Sequence, residues 1–138
     1  MSVVYNETLS LKSYRMCVIQ AAIYQQSATG TSFTGTAIAG QLVIGTSALS
    51  GATGVLATIT IPTTAISVSA GVLTITGPIG NNASATGTAA KAELRNGNGV
   101  TIASGLTVGT TGTDVIINST AISSGQYVQM NTSTITHG

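Results

Sequence analysis

The stretch Val55-Leu56-Ala57-Thr58-Ile59-Thr60-Ile61-Pro62-Thr63-Thr64-Ala65-Ile66-Ser67-Val68-Ser69-Ala70-Gly71-Val72-Leu73-Thr74-Ile75-Thr76 decides the fold class. Its hydrophobic period is two, the period at which side chains of a strand alternate between faces. Val55, Ala57, Ile59 and Ile61 fall on one face of the first run, and Pro62, which cannot donate to a ladder, stops it. Ile66-Ser67-Val68-Ser69 alternates again, and Ala70-Gly71 reads as a tight turn into Val72-Leu73-Thr74-Ile75-Thr76. Gly77-Pro78 closes that strand. Two hydrophobic runs separated by two residues of this kind are a hairpin signal, and no helical period intervenes.

Downstream the pattern repeats. Lys91, Glu93 and Arg95 alternate with Ala90, Ala92 and Leu94, and Asn96-Gly97-Asn98-Gly99 is the strongest turn in the chain, since Asn-Gly readily adopts positive φ. Val100-Thr101-Ile102-Ala103, Leu106-Thr107-Val108, Asp114 to Asn118 and the run from Gln126 to Thr136 follow. Upstream, Gln41-Leu42-Val43-Ile44 starts the series, while residues 27–54 otherwise carry weak strand signal and read as a long loop or arm. About eight or nine short strands with turns every 8–12 residues suit an all-β, antiparallel β-sandwich of jelly-roll or Greek-key type. A parallel α/β sheet is not expected, because no helix separates the later strands.

The one helix signal comes first. Leu11, Tyr14, Val18, Ala21 and Ala22 recur at three- and four-residue spacing between Leu11 and Gln26, with Ile19 and Ile23 beside them. Thr8 or Ser10 would cap its start, and the Ser27–Ser32 run with Gly30 would end it. So apolar a helix must lie on the sheet or on a neighbouring subunit. The expected organisation is an N-terminal arm and helix over residues 1–26 and a β-sandwich domain over 27–138.

The charge content narrows the role. Four Lys and Arg and three Asp and Glu are the only formally charged side chains, 5% of the chain, against about 25% in ordinary domains. The surface must be wetted instead by hydroxyls and backbone, from 24 Thr, 15 Ser and 17 Gly. Such a surface hydrogen-bonds well and offers little electrostatic repulsion to the approach of other copies. A net charge of +1 does not provide the clustered cations that phosphate neutralisation requires, so nucleic acid is not an expected partner. A membrane is not expected either: basic residues are too few for an amphipathic basic face, and no apolar run approaches 18 residues. The first residues show no basic region followed by an apolar block, so no secretory signal is expected and folding in the cytoplasm of synthesis is. Cys17, the single cysteine, lies in an apolar stretch and reads as a small buried side chain.

No constellation for catalysis emerges. His137, the one histidine, is next to the last residue, a poor place for a base that a third group must hold rigidly. The carboxylates are scattered, no Cys/His cluster suggests zinc, and no Asp spacing suggests calcium. Gly97-Asn98-Gly99 and Gly105 to Gly109 do not open a helix, so a dinucleotide site is not expected. Asp114 reads as a turn residue. No enzyme activity, cofactor or metal is therefore expected. Lys91, Glu93 and Arg95 project from one strand face, either as a small charged contact patch or as a solvent-facing stripe.

The order Asn82-Ala83-Ser84-Ala85-Thr86-Gly87-Thr88-Ala89-Ala90-Lys91-Ala92-Glu93-Leu94-Arg95, a turn, Val100 to Gly109, then Thr110 to Ile122, Gly125-Gln126 and Ile135-Thr136-His137 resembles small proteins encoded in tailed-phage and prophage structural gene clusters. The resemblance spans roughly residues 55–138, and the helix has a counterpart there. It departs at Ala90-Lys91-Ala92, where such proteins often carry an aromatic. The resemblance implies a virion component on the capsid surface, made in the host cytoplasm, and of the cement or decoration type. Its partners would be the major capsid protein and copies of itself, with a trimer as one arrangement. Tyr5, Leu11, Tyr14, Arg15, Val18, Lys91, Glu93, Arg95 and Tyr127 are the candidate subunit contacts, with the two terminal segments as contact arms. The alternative role is a neck, tail or fibre-tip module that binds a receptor or carbohydrate. Against the latter, the four Tyr and one Phe form no obvious platform in the sequence.

Overall fold

A computed structural model describes residues 9–29 and 32–136. Among these, one helix, α1 (Leu9–Ile23), precedes fourteen strands: β1 (Ser27–Thr29), β2 (Ser32–Thr34), β3 (Gly40–Ser50), β4 (Thr53–Ile61), β5 (Ile66–Ser69), β6 (Val72–Ile75), β7 (Ile79–Asn82), β8 (Gly87–Thr88), β9 (Lys91–Arg95), β10 (Thr101–Gly109), β11 (Val115–Ile116), β12 (Ala121–Ile122), β13 (Tyr127–Met130) and β14 (Ser133–Thr136). The all-β class with a single early helix is what the sequence implied.

The largest sheet has the order β11-β10-β9-β3-β4. Its two free edges are joined through β13 and β7. On one side Asn118 N–H donates to Gln129 O (3.0 Å) and Asn131 N–H to Ile116 O (2.9 Å), and Ile117 bridges Met130. β13 then pairs with β7. On the other side, Ser84 N–H just past β7 donates to Leu56 O (2.8 Å), and Asn81 Nδ2 donates to Thr58 O (3.0 Å). Hydrogen bonding thus runs in a closed circuit, by one backbone and one side-chain bond at the β4–β7 seam and by backbone bonding elsewhere. One step departs from the antiparallel expectation. β10 and β11 run parallel, with Val108 opposite Val115 and Gly109 opposite Ile116.

The circuit surrounds one aliphatic core. Leu42 and Ile44 of β3, Ala57, Ile59 and Ile61 of β4, Ala92 and Leu94 of β9, Val115, Ile117, Val128 and Met130 are all buried. Alternation selects them, as a half-buried strand requires. The face expected on β4 holds for Ala57, Ile59 and Ile61, but Val55 is only partly buried and Leu56 takes the interior place. A register shift between Ile44 and Gly45 moves the pattern by one residue, which is what a bulge does. Residues 45–54, read as part of a loop or arm, instead extend the strand expected at residues 41–44 and turn at Gly51-Ala52 into β4. Hydroxyl and glycine content masked it.

Two turns show how the backbone was encoded. Ala70 and Gly71 both have positive φ (52° and 77°) between paired Ser69 and Val72, a type I′ turn. At Asn96 to Gly99 only Gly99 is left-handed (φ 83°). Gly99 N–H donates to Asn96 O, and the Asn96 Oδ1 accepts from Asn98 and Val100 N–H. This is a type I turn closed by a glycine bulge, with the asparagine side chain as its brace, and not the doubly left-handed turn that Asn-Gly suggested.

The helix lies on this body along a face that only partly matches the expected stripe. Met16, Cys17, Ala21, Ile23 and Tyr24 are buried, whereas Val18, at the centre of the expected stripe, is 59% exposed. The segment is apolar nearly all round, so periodicity alone could not choose its inner face. Polar partners chose it. Gln20 Nε2 donates to Ile66 O (3.3 Å), the Tyr24 hydroxyl donates to Pro62 O, and Ile66 N–H donates to the Tyr24 oxygen (3.2 Å). Burial raises the Tyr24 phenol pKa above its ordinary value, against the smaller effect of its backbone hydrogen bonds, and burial likewise raises that of the Cys17 thiol. Residues 16–24 therefore share a core with the strands and are not a detachable arm. The helix also ends earlier than expected. Gln26 N–H reaches Ala21 O and Gln25 N–H reaches Ala22 O, with Gln25 left-handed (φ 56°), a Schellman closure made by glutamine.

Tyr24→Phe removes one donor and leaves the Pro62 carbonyl and Ile66 amide without that partner. It should cost about 1–3 kcal/mol in denaturant unfolding. Conversely, Gln25→Gly and Ala70→Gly relieve left-handed backbone at non-glycine residues, and each should raise stability by about 1 kcal/mol, read as an upward shift of Tm.

Candidate functional site

The three-residue charge stripe on β9 meets a different fate at each position. Lys91 is exposed. Glu93 and Arg95 are not: their side chains are 9% and 12% exposed, and Arg95 Nη2 lies 2.8 Å from Glu93 Oε2. Arg95 Nε donates to the same oxygen (3.1 Å), and Thr101 Oγ1 donates to it as well (3.1 Å). Arg95 Nη2 also donates to Gly51 O (2.7 Å) at the turn of the β3–β4 hairpin.

That last bond fixes the shape of the hairpin. Arg95 pairs with Gln41 and Lys91 with Gly45, so a straight β3 would carry Gly51 far from Arg95. The hairpin instead doubles back at Gly45, over the outer face of its own sheet. A side chain at Gly45 would collide with Gly54 O and Leu49, both about as near as 2.7 Å, so only glycine allows the fold-over. Val43, which points outward opposite Glu93, is 1% exposed on this covered face. Neither expected reading holds for Glu93 and Arg95. They are neither a contact patch nor a solvated stripe, but an internal clamp.

Asp114 has the turn role read from sequence. Its Oδ2 accepts from Thr107 N–H (3.1 Å) and Thr107 Oγ1 (3.2 Å), while its own N–H donates to Thr107 Oγ1 (3.0 Å). The pair holds the connection that brings β11 parallel to β10. Among the described residues no group of three His, Cys, Asp or Glu could hold a metal ion, and no helix is long and apolar enough to cross a membrane.

Of the other candidate contacts, Tyr5 and the side chains of Leu11, Tyr14 and Arg15 lie outside the described residues, as does His137. Val18 and Tyr127 are on the surface, Tyr127 at 52% exposure. Sequence reading missed Ile38 and Val100, which are 48% and 56% exposed. They flank the β9–β10 turn region, where Ile38 Cγ2 approaches Gly97. Ile38 lies in irregular chain without a periodic signal, and Val100, read as the first residue of a strand, lies just before β10. Comparison with family models, with curated proteins and with solved structures finds no match to this chain.

Arg95→Met leaves the Glu93 carboxylate covered with only Thr101 for a partner, and should cost about 3 kcal/mol. Combining it with Glu93→Leu should recover much of that loss. Chemical denaturation of both single variants and the double variant gives the coupling directly.

Proposed function

We propose that this protein is a non-enzymatic structural subunit that works by packing against other subunits. Its proposed place is the capsid surface of a tailed-phage particle, as a cement protein that holds the major capsid protein and further copies of itself. The observation that carries the reading is the fate of its few charges. Two of the seven charged side chains neutralise each other beneath the folded-over hairpin, and Asp114 is engaged with Thr107. Among the residues whose side chains are described, Lys91 is left as the one exposed charge.

A lone soluble subunit keeps itself apart from its copies with a mixed charged coat. A surface of threonine, serine, asparagine and glycine offers hydrogen bonds at low desolvation cost and no long-range repulsion, which suits dense arrangement on a lattice. Val18, Ile38 and Val100 add isolated apolar points that a neighbour could cover.

The proposal makes a distinctive demand on salt. Contacts without ion pairs are not screened, so self-association and attachment to capsids should be unchanged between about 0.05 and 0.5 M NaCl in sedimentation velocity. Attachment that collapses with salt would point to an ionic interface and overturn the reading. So would a product that stays monomeric at every concentration and is missing from purified particles on a quantified denaturing gel.

A further inference from the structure

We infer that the outer face of β7 and β13, centred on Tyr127, is a binding site for a neutral saccharide. The inference is independent of where the protein sits in a particle. Met130 and Val128 point into the core, so Tyr127 and Gln129 point outward, and their register partners Asn82 and Gly80 share that face. A side chain at Gly80 would stand 2.8 Å from both Cζ and the hydroxyl of Tyr127. The phenol ring therefore lies diagonally across the strand pair, laid over the bare backbone of Gly80. The residue is 52% exposed, so much of the ring is turned to solvent.

The strand that carries this ring is held in place. The Asn118 side chain fastens the β13 edge from both directions: Nδ2 donates to Tyr127 O (3.3 Å), and Oδ1 accepts from Gln129 N–H (3.1 Å). Gln129 Nε2 in turn donates to Asn131 Oδ1 (3.1 Å). Asn82, exposed beside the ring, has no side-chain hydrogen bond among the described residues. The result is an exposed aromatic ring with side-chain amides beside it, of which Asn82 keeps both its donors and its acceptor unused among the described residues.

The chemistry of that combination is specific. The electron-rich face of an aromatic ring accepts the weakly positive C–H groups on the flat side of a pyranose. Amides satisfy vicinal hydroxyls in either direction. None of the charged side chains described, Lys91, Glu93, Arg95 and Asp114, stands on β7 or β13. An anionic sugar would find no cation here, and a neutral one needs none. A preorganised ring loses little entropy on binding, although one ring limits affinity to the weak range.

Saturation-transfer and chemical-shift NMR on the full chain, with maltotriose, cellotriose and N,N′-diacetylchitobiose as probes, tests the site. At millimolar concentration at least one probe should contact the Tyr127 ring protons through its ring C–H groups. Tyr127→Ala should weaken that binding by about tenfold or more. Tyr127→Phe should retain most of it, because the face and not the hydroxyl does the stacking. Failure of all three probes to perturb Tyr127, or binding unchanged in Tyr127→Ala, overturns the inference.

Discussion

Closure of the strand circuit is the constraint on which the rest of the molecule depends. The chain has a single cysteine and few ionic groups, so neither a disulfide within the chain nor a surface charge network can hold it. Stability has to come from backbone pairing around an aliphatic interior. The bonding closes only because Ser84 and Asn81 reach β4, and because Asn118 and Asn131 bond across to Gln129 and Ile116. Polar residues thus seal the seams, while β-branched and aliphatic residues fill the middle. Unsealed, each seam would expose a row of unpaired amides and carbonyls, the usual starting point for uncontrolled strand addition. A protein with so little charge repulsion has particular need of sealed edges.

The sequence disclosed the parts of this plan that depend on local periodicity. The hairpin Ile66 to Ile75, its Ala70-Gly71 turn, and the inward set Ala57, Ile59 and Ile61 could be read directly, because each alternates without interruption. β7, β8 and β12 could not be read, since Ile79-Gly80-Asn81-Asn82, Gly87-Thr88 and Ala121-Ile122 are too short or too polar to show a period. The bulge at Gly45 hid the length of β3, and the run from Gln126 to Thr136, read as one strand, bends into β13 and β14. The inner face of α1 was only partly legible, for a different reason. Buried Tyr24 and half-buried Gln20 are held by Pro62 and Ile66, 38 to 46 residues away in sequence, which no local pattern reports.

The surface sites were less legible than the fold. The alternation of Lys91, Glu93 and Arg95 correctly placed three charges on one face, but not what covers that face. Coverage follows from the fold-over at Gly45, a tertiary event. Tyr127 was a candidate from sequence alone, yet its companions Gly80, Asn82 and Asn118 come from a different strand and a separate segment. The platform exists only once β7 and β13 are paired.

The doubled-back hairpin also has a kinetic consequence. Its tip is fastened at Gly51 by one guanidinium that lies 44 residues further along the chain, and most of residues 46–54 are at least partly exposed. The ladder from Gln41 to Ile44, by contrast, is bonded to β4 on one side and β9 on the other. Lifting the tip therefore breaks few bonds and leaves the interior sealed, so amide protons of residues 46–54 exchange by a subglobal opening long before those of the ladder. While lifted, the tip uncovers Glu93 and Arg95, and the subunit transiently carries a polar face that its closed form conceals.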